Sequence, residues 1–194
     1  MRQIICIPRI SNREELAALK NNPGLQSGVN VVYAYFLSKK LIPYPKGESN
    51  ILYIGEAMRE SDATGVRFRQ HLTPTATVGA DSGNNFTLSQ YFHAGWQLGL
   101  TVFETDTQKL QRERDLIYAH ISLYGAPPIA QGKVPHDSRK RNRTTHITSF
   151  IANNQLEIER AGVVLADLVA EHGLISLSSG LPSVSTIVND RSGS

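Results

Sequence analysis

The sequence predicts an α+β fold in which helices flank a small, mostly antiparallel β-sheet. Residues 28–37 (GVNVVYAYFL) are rich in β-branched and aromatic side chains, which favour an extended strand. Residues 98–104 predict another strand, and residues 109–124 predict a strongly amphipathic helix. The apolar residues that recur at helical intervals and are expected on its buried side are Leu110, Ile117, Ile121 and Tyr124.

Length and composition favour a single domain. A chain of 194 residues, of which 40% are hydrophobic, can bury one good core. No apolar run is long enough to span a bilayer, and the apolar part of residues 1–8 is too short for a secretory signal. The single cysteine, Cys6, excludes an internal disulfide and a cysteine-based zinc site. We therefore expect a cytoplasmic protein without a membrane partner, and its net charge of +3 permits an anionic partner.

The N-terminal part is expected to add a strand and a short helix to the core. Residues 2–10 predict a strand or an extended arm. Ser11 and Glu14 have the spacing of a capping box at the start of a helix that runs to about Lys20. The Asn-Asn-Pro-Gly sequence at 21–24 ends that helix, because proline cannot continue it and glycine suits the turn.

A loop and a second strand follow residues 28–37. Residues 39–48 contain two prolines and a glycine and therefore predict a loop. Residues 52–54 predict a short apolar strand that runs into Gly55. The strands on either side of this loop are expected to pair antiparallel as a long-looped hairpin.

Loops and helices alternate along the middle of the chain. A polar loop at 58–64 leads to a helix at 65–72, which Pro74 ends. Residues 73–85 have no apolar period and predict a mobile loop that can order on a ligand. Residues 86–96 have the spacing of a helix.

Residues 133–146 form a basic segment, which holds five lysines and arginines and one acid, Asp137. Guanidinium, hydroxyl and amide groups are the donors that phosphates and base edges require, so we expect a loop that contacts nucleic acid; the alternative is a solvated loop. The predicted DNA-binding residues are Lys133, Arg139, Lys140, Arg141, Asn142 and Arg143. After this segment, residues 149–172 predict a helix and residues 176–194 a peripheral, flexible tail.

Polar residues near the short apolar strand are candidates for catalysis. Arg67 and His71 are four apart, so on a helix they share one face, and Tyr53 belongs to the strand beside them. Glu113 adds a carboxylate on the later amphipathic helix. Each of them alone has a simpler structural explanation as a packed aromatic ring, a solvated arginine, a hydrogen-bonded histidine or a surface charge.

Taken together, these residues resemble the GIY-YIG nuclease superfamily, whose core has a tyrosine-bearing strand, a YIG strand, a helix with R-x-x-x-H and a later helix with a metal-binding glutamate. The matching segments are Tyr53-Ile54-Gly55 for YIG, Arg67 to His71 for R-x-x-x-H, and Glu113 with Ile117 for E-x-x-x-[IL]. The resemblance covers residues 28–131, which would be the nuclease core, with additions at both ends. The resemblance rests on the order and spacing of these motifs.

The resemblance implies a metal-dependent DNA endonuclease. It is most like the small type II restriction endonucleases of the superfamily, because a chain without an obvious second DNA-binding module must read DNA with its own loops. Glu113 would hold the metal, Mg²⁺, for which Mn²⁺ can substitute. Arg67 would bind the phosphate oxygens with a forked pair of hydrogen bonds. His71, Tyr53 and Tyr33 are the groups that could share the deprotonation of the attacking water.

The first motif departs from the family pattern. If Gly28-Val29-Asn30 is the first motif, Asn30 stands in the place of the tyrosine. If Val31-Val32-Tyr33 is the first motif, the glycine is missing. Tyr33 fits the chemistry better, because asparagine cannot act as a base and Tyr35 lies on the same strand face as Tyr33. The mismatch leaves room for an inactive relative.

Several functions therefore stay open besides restriction. They are a homing or repair nuclease of the same superfamily, a nucleic-acid-binding relative without catalysis, and a small-molecule enzyme with a coincidental YIG. For the nuclease, the expected partner is double-stranded DNA. A homodimer is expected, because one active site cuts one strand and a palindromic site is most simply cut by two subunits related by a twofold axis.

Overall fold

Four antiparallel strands form the main sheet of the protein, and helices flank it, as the sequence predicts. The computed structural model describes residues 1–38, 40–76, 85–132 and 143–173, with side chains in the last range from 148 to 170. The strands of the sheet are β1 (Arg2–Ile7), β2 (Val31–Leu37), β5 (Ile51–Ala57) and β6 (Leu98–Glu104), while β3 (Ile42–Tyr44) and β4 (Gly47–Ser49) form a separate hairpin. The order in the sheet is β1-β6-β2-β5.

Five α-helices surround the sheet in the described ranges. They are α1 (Arg13–Ala18), α2 (Phe86–His93), α3 (Lys109–Tyr124), α4 (Arg143–Asn153) and α5 (Gln155–Gly173). Short 3₁₀ helices occur at Leu19–Asn21, Pro23–Leu25 and Thr64–Gln70. Within the described residues, every helix is too short or too polar to cross a membrane.

The predicted hairpin of the first tyrosine strand and the YIG strand is confirmed. β2 and β5 pair antiparallel, with Tyr33 opposite Gly55 and Tyr35 opposite Tyr53. β1 is part of the same sheet, because it pairs with β6 at the edge away from β5. The N-terminal strand is therefore built into the central layer.

Several predicted boundaries were wrong. Residues 39–48 contain the β3–β4 hairpin, which two prolines concealed. The predicted helix at 149–172 is two helices, and α4 begins at Arg143, inside the predicted basic loop. α1 is capped by the side chain of Asn12, which accepts from the backbone N–H of Glu15, so the capping pair lies one residue later than predicted.

The sheet separates two apolar clusters, because alternate residues of β2 point to opposite sides. Tyr33 and Tyr35 pack in the first cluster with residues of the 3₁₀ helix Thr64–Gln70 and α2. Ala34 and Phe36 pack in the second cluster with α3 and α5. These two faces set the directions from which functional side chains can reach the edge strand β5.

The buried side of α3 differs from the predicted one at its start. Ile117 is fully buried, but Leu110 is 61% exposed, so its predicted place in the core was wrong. The buried stretch of α3 begins only at Asp115, where the helix lies between the sheet and α5. The first turn of α3 therefore extends beyond the core, and it carries Lys109 toward the edge of β5.

Gly65 permits a close contact that should be sensitive to substitution. A Cβ atom at this position would lie 2.5 Å from the carbonyl carbon of Leu19, which is backbone and cannot swing away. We expect Gly65→Ala to lower the free energy of unfolding by about 1–3 kcal/mol, as overpacking does. Urea unfolding checks this, with Gly132→Ala as the control because a Cβ there meets open space. Equal losses in the two variants would contradict it.

Candidate active site

Two buried tyrosines of β2 hold His71 between them. The hydroxyl oxygen of Tyr33 lies 3.2 Å from Nε2 of His71, and that of Tyr35 lies 2.8 Å from Nδ1. The rings of Tyr33 and His71 stack, with their centroids 5.1 Å apart. Burial, together with the positive charge of Arg67, lowers the pKa of His71 to about 3. The imidazole is therefore neutral at physiological pH, with one nitrogen that donates and one that accepts.

Tyr53 of the YIG strand joins this cluster as its partly exposed member. Its ring centroid lies 6.1 Å from that of Tyr33. Burial and the charge of Glu113 raise the pKa of Tyr53, while a hydrogen bond from Tyr33 and the charge of Arg67 lower it. Tyr33 is only 1% exposed, and burial raises its pKa well above the ordinary value. Tyr53 is partly exposed, so it is the member of the pair that a bound substrate can reach.

The glycine of YIG has a steric role here. Gly55 lies opposite Tyr33, whose ring folds over the space that a side chain would fill. A Cβ atom at Gly55 would lie 2.5 Å from Cζ of Tyr33 and 2.8 Å from Cε1 of Tyr53. Only glycine lets the two phenol rings meet across the strands.

Arg67 lines an open cleft beside the tyrosines. The cleft has a volume of about 350 Å³, and its lining residues are Glu56, Ala57, Met58, Arg59, Arg67 and Lys109. Arg67 also donates to the side-chain oxygen of Gln70 at 3.2 Å. Three cations and one carboxylate make this cleft electropositive, which suits an anionic group such as a phosphodiester.

The prediction that Arg67 and His71 share one helical face was wrong in its geometry. The segment is a 3₁₀ helix that ends at Gln70, with three residues per turn, so residues four apart point in different directions. His71 is 2% exposed and lies beneath the tyrosines, whereas Arg67 lines the cleft. The charge of Arg67 still acts on His71 and on the tyrosines around it.

Glu113 reaches the same place from the opposite side of the sheet. α3 packs in the second apolar cluster, yet the charge of Glu113 raises the pKa of both Tyr33 and Tyr53, which belong to the first. The two sides can meet only around β5, which is an edge strand. The candidate site therefore lies at the edge of β5.

The pKa of Glu113 is raised to about 7. Burial is the main cause and the nearby carboxylate of Glu56 the second, while Lys109 and Arg114 oppose them. Glu56 itself forms an ion pair with Lys109. Two neighbouring carboxylates, one of them with a raised pKa, favour an added cation, because a cation relieves both the repulsion and the desolvation.

These carboxylates fit a single hard cation. Mg²⁺ takes one or two protein carboxylates and completes its shell with water and substrate oxygens. Glu113 would be the protein ligand, with Glu56 close enough to share the charge. Among the described residues, no group of three or more His, Cys, Asp or Glu residues forms a closed metal cage. An open site of this kind leaves coordination positions for a substrate.

The raised pKa of Glu113 predicts a pH-dependent stability. Because the folded-state pKa lies above the ordinary 4.5, the charged form destabilises the fold, and this penalty develops as pH rises from the ordinary value through about 7. With EDTA present, Glu113→Gln should therefore be neutral at pH 4 and should stabilise at pH 8, by roughly 1–3 kcal/mol for a group that is partly solvated.

Thermal unfolding at the two pH values measures this effect. Mg²⁺ at pH 8 should raise the melting temperature of the parent but not that of Glu113→Gln, because binding to the folded state alone stabilises it. Glu60→Gln, at an exposed carboxylate, is the control and should show neither effect. A variant that is no more stable than the parent at pH 8 would contradict the buried carboxylate.

The structure brings together five of the residues that the sequence singled out: Tyr33, Tyr53, Arg67, His71 and Glu113. Of the two alternatives for the first motif, Tyr33 lies in the cluster. Asn30 lies just before β2, where its carbonyl accepts from the backbone N–H of Thr105. Three neighbours were not predicted as site residues: Tyr35, Glu56 and Lys109.

Gln131 has a contact that the sequence did not reveal. Its side-chain oxygen accepts from the backbone N–H of Ile54, within YIG, at 3.1 Å. Next to it, the backbone N–H of Ala130 donates to the carbonyl of Leu52 at 2.8 Å. Residues 130–131 therefore cover part of the free edge of β5.

The predicted DNA-binding run is only partly described. Lys133, Arg139, Lys140, Arg141 and Asn142 lie outside the described residues, as do most of the predicted loop at 73–85 and the tail at 176–194. Arg143 is the first residue of α4, and its side chain is also outside the described part. In the sequence, the run begins two residues after Gln131, and residues 130–131 are hydrogen-bonded to the YIG strand.

Comparison of the chain with family models, with curated proteins and with solved structures gives no match in any of the three.

Proposed function

We propose that this chain is a metal-dependent DNA endonuclease of the GIY-YIG type, which hydrolyses phosphodiester bonds. The observation that carries the proposal is the convergence at one strand edge of residues from three separate motifs: Tyr53 of YIG, Arg67 and His71 of R-x-x-x-H, and Glu113. Each motif is recognisable in the sequence, so the proximity of all three beside an electropositive cleft that Arg67 lines supports the resemblance.

The cations of the cleft suit the phosphate. Arg67 can form two parallel hydrogen bonds to non-bridging oxygens, and its fixed fork holds the phosphorus in line for attack. Lys109 and Arg59 add positive charge on the same wall. Preorganised charge of this kind stabilises the transition state, in which negative charge builds up on the phosphoryl oxygens.

Tyr53 is the best placed base for the attacking water. As a phenolate, it would accept a proton from water. Burial is the main cause of the raised pKa of Tyr53, and the hydroxyl of Tyr33 and the charge of Arg67 act against it by favouring the phenolate. The negative charge of Glu113 opposes the phenolate form of Tyr53 as long as no cation compensates that charge. His71, with its pKa lowered to about 3, contributes hydrogen bonds to the cluster and takes up no proton near neutral pH.

The cation that we propose is Mg²⁺, with Mn²⁺ as a substitute, held by Glu113. When bound, such an ion supplies Lewis-acid stabilisation of the phosphoryl oxygens and the leaving alkoxide. The raised pKa of Glu113 means that protons compete with the cation below about pH 7.

Plasmid DNA incubated with the protein in Mg²⁺ and in EDTA tests the proposal. Nicking or linearisation that requires Mg²⁺ is the expected result. A protein that retains DNA on a gel without cutting it in either Mg²⁺ or Mn²⁺ would instead be a non-catalytic nucleic-acid-binding relative. A protein that neither binds nor cuts DNA would overturn the proposal altogether.

We further propose a restriction-type role in the cytoplasm for a homodimer on double-stranded DNA. Cutting both strands in one binding event most simply takes two copies of the site related by a twofold axis. Sedimentation of the protein with and without a DNA duplex tests the dimer. A monomer that makes double-strand breaks in a single encounter would contradict it.

The basic segment is expected to supply sequence-independent affinity for DNA. Replacement of Arg139, Lys140, Arg141 and Arg143 by alanine should weaken DNA binding and flatten its salt dependence, since each lost phosphate contact removes about 0.9 from the slope of log K against log salt. Titration of a labelled duplex at several salt concentrations measures this slope. Alanine substitutions of Lys20 and Arg2, away from the cleft, are the control, and an unchanged slope in the quadruple variant would make the segment a solvated loop.

A further inference from the structure

The tyrosine and histidine side chains of the first apolar cluster form a continuous series. Hydrogen bonds join Tyr35 to His71 and His71 to Tyr33, and the ring of Tyr53 lies next to that of Tyr33, with the centroids 6.1 Å apart. Tyr35 is fully buried at the inner end, while Tyr53 is partly exposed at the outer end. The series therefore connects a phenol that no substrate can touch with one that a substrate can reach.

The direction of each hydrogen bond follows from the number of protons available. A neutral imidazole has one nitrogen that donates and one that accepts. The hydroxyl oxygen of Tyr35 lies 2.8 Å from Nδ1, which suits a hydroxyl donor, whereas Nε2 lies 3.2 Å from the hydroxyl oxygen of Tyr33, which suits an N–H donor. Tyr35 therefore donates to Nδ1, and the N–H at Nε2 donates to Tyr33.

The opposite direction would turn the proton of Tyr33 away from Tyr53. If Nδ1 carried the proton and donated to Tyr35, Nε2 would be bare and would take the only proton of Tyr33. The hydroxyl of Tyr33, whose presence lowers the pKa of Tyr53, would then have no proton to offer it. The tautomer of His71 thus decides on which side of Tyr33 its hydroxyl proton lies.

We propose that Tyr35 is a positioning residue, which donates its hydroxyl proton to Nδ1 of His71, selects the Nε2–H tautomer and so leaves the hydroxyl proton of Tyr33 free to point toward the neighbouring Tyr53. The catalytic consequence rests on the proposed nuclease function; the selection of the tautomer does not. Tyr35 contacts neither the cleft nor the phosphate site, and it acts only through His71 and Tyr33. Partners of this kind fix the tautomer of catalytic and metal-binding histidines in general.

The test uses Tyr35→Phe, which removes the hydroxyl and keeps the ring packed. In ¹⁵N-histidine-labelled protein, two-bond nitrogen–proton correlations report which nitrogen of His71 is protonated, and a His71→Gln sample identifies its signal among the six histidines. The parent should show the Nε2–H tautomer, and Tyr35→Phe should show a mixture or the Nδ1–H form. Tyr44→Phe is the control, because its hydroxyl bonds to backbone groups of Ile51 and Ile129, and it should leave His71 unchanged.

Turnover gives the second measurement. Tyr35→Phe should lower kcat roughly 10- to 100-fold with little change in KM, less than the roughly 10²–10⁴-fold loss expected for the base itself. In a Tyr33→Phe background, the same change should have almost no further effect, because both act along one series. A His71 tautomer that is the same in Tyr35→Phe as in the parent, or losses of kcat that multiply in the double variant, would overturn the inference. If the parent cuts no DNA, the nuclease proposal fails, and the tautomer measurement alone still decides the role of Tyr35.

Discussion

Replacement of Glu113 by alanine is expected to abolish DNA cleavage while leaving DNA binding nearly intact. The carboxylate is the proposed ligand of the cation that stabilises the transition state, so its loss should lower kcat by about 10³-fold or more. Binding should persist, because phosphate affinity comes from the cations of the cleft and of the basic segment. The fold should also persist, since the residue is a half-buried carboxylate whose burial raises its pKa and opposes folding at neutral pH.

Single-turnover cleavage of a plasmid and retention of a duplex on a gel measure the two properties separately. Glu159→Ala is the matched control, because it removes an exposed carboxylate on α5, far from the cleft. A Glu113→Ala variant that cuts at near the parental rate would show that Glu113 is not the ligand. A variant that loses binding and cleavage together would place Glu113 in the DNA interface instead.

The second large effect is expected at the glycine of YIG. An alanine at Gly55 would drive its methyl group into the ring of Tyr33 and against the edge of Tyr53. Both rings are held by their neighbours, so they must separate, and the contact between Tyr33 and Tyr53 should be lost. We expect Gly55→Ala to lower turnover by roughly 10²-fold or more, as for loss of a general base, and to lower the free energy of unfolding by about 1–3 kcal/mol.

Gly99→Ala separates these two consequences. A Cβ at Gly99 would collide with the ring of Phe36, a similar aromatic clash between neighbouring strands, but on the opposite side of the sheet. The two variants should therefore lose comparable stability, measured by urea unfolding, while only Gly55→Ala loses cleavage. Equal losses of activity in both would mean that the effect of Gly55→Ala comes from general destabilisation.

The elements with strong local patterns were predictable. Residues 98–104 and 109–124 match β6 and α3 without any shift, because a β-branched and aromatic run and a helical apolar period each allow one structure. The β3–β4 hairpin was missed because prolines such as Pro43 and Pro45 are typical of loops. A two-stranded hairpin outside the main sheet nevertheless tolerates them. The helix predicted at 65–72 is instead a 3₁₀ helix at Thr64–Gln70, and its Gly65 packs closely against the backbone of Leu19, a long-range contact that no local pattern shows.

Site residues were predictable from the sequence only where a short motif marks them. Tyr53, Arg67 and Glu113 stand in recognisable motifs, and they come together at the edge of β5. Glu56 and Lys109 are brought together because the first turn of α3 lies next to β5, an arrangement that no local pattern encodes. Tyr35 did carry a signal, because a residue two positions after Tyr33 shares its strand face, but its bond to His71 depends on a distant segment.

The bonds of residues 130–131 to β5 also bear on how the chain avoids aggregation. An edge strand with free backbone N–H and C=O groups can pair with the edge of another molecule, and β5 is apolar along much of its length. Ala130 and Gln131 occupy one carbonyl and one N–H of that edge. During synthesis these residues emerge long after β5. Nascent or truncated chains that stop before residue 130 therefore expose a strand edge that can pair with other chains. The segment that precedes the basic run thus protects the finished chain from pairing with its neighbours, whereas the unfinished chain lacks this protection.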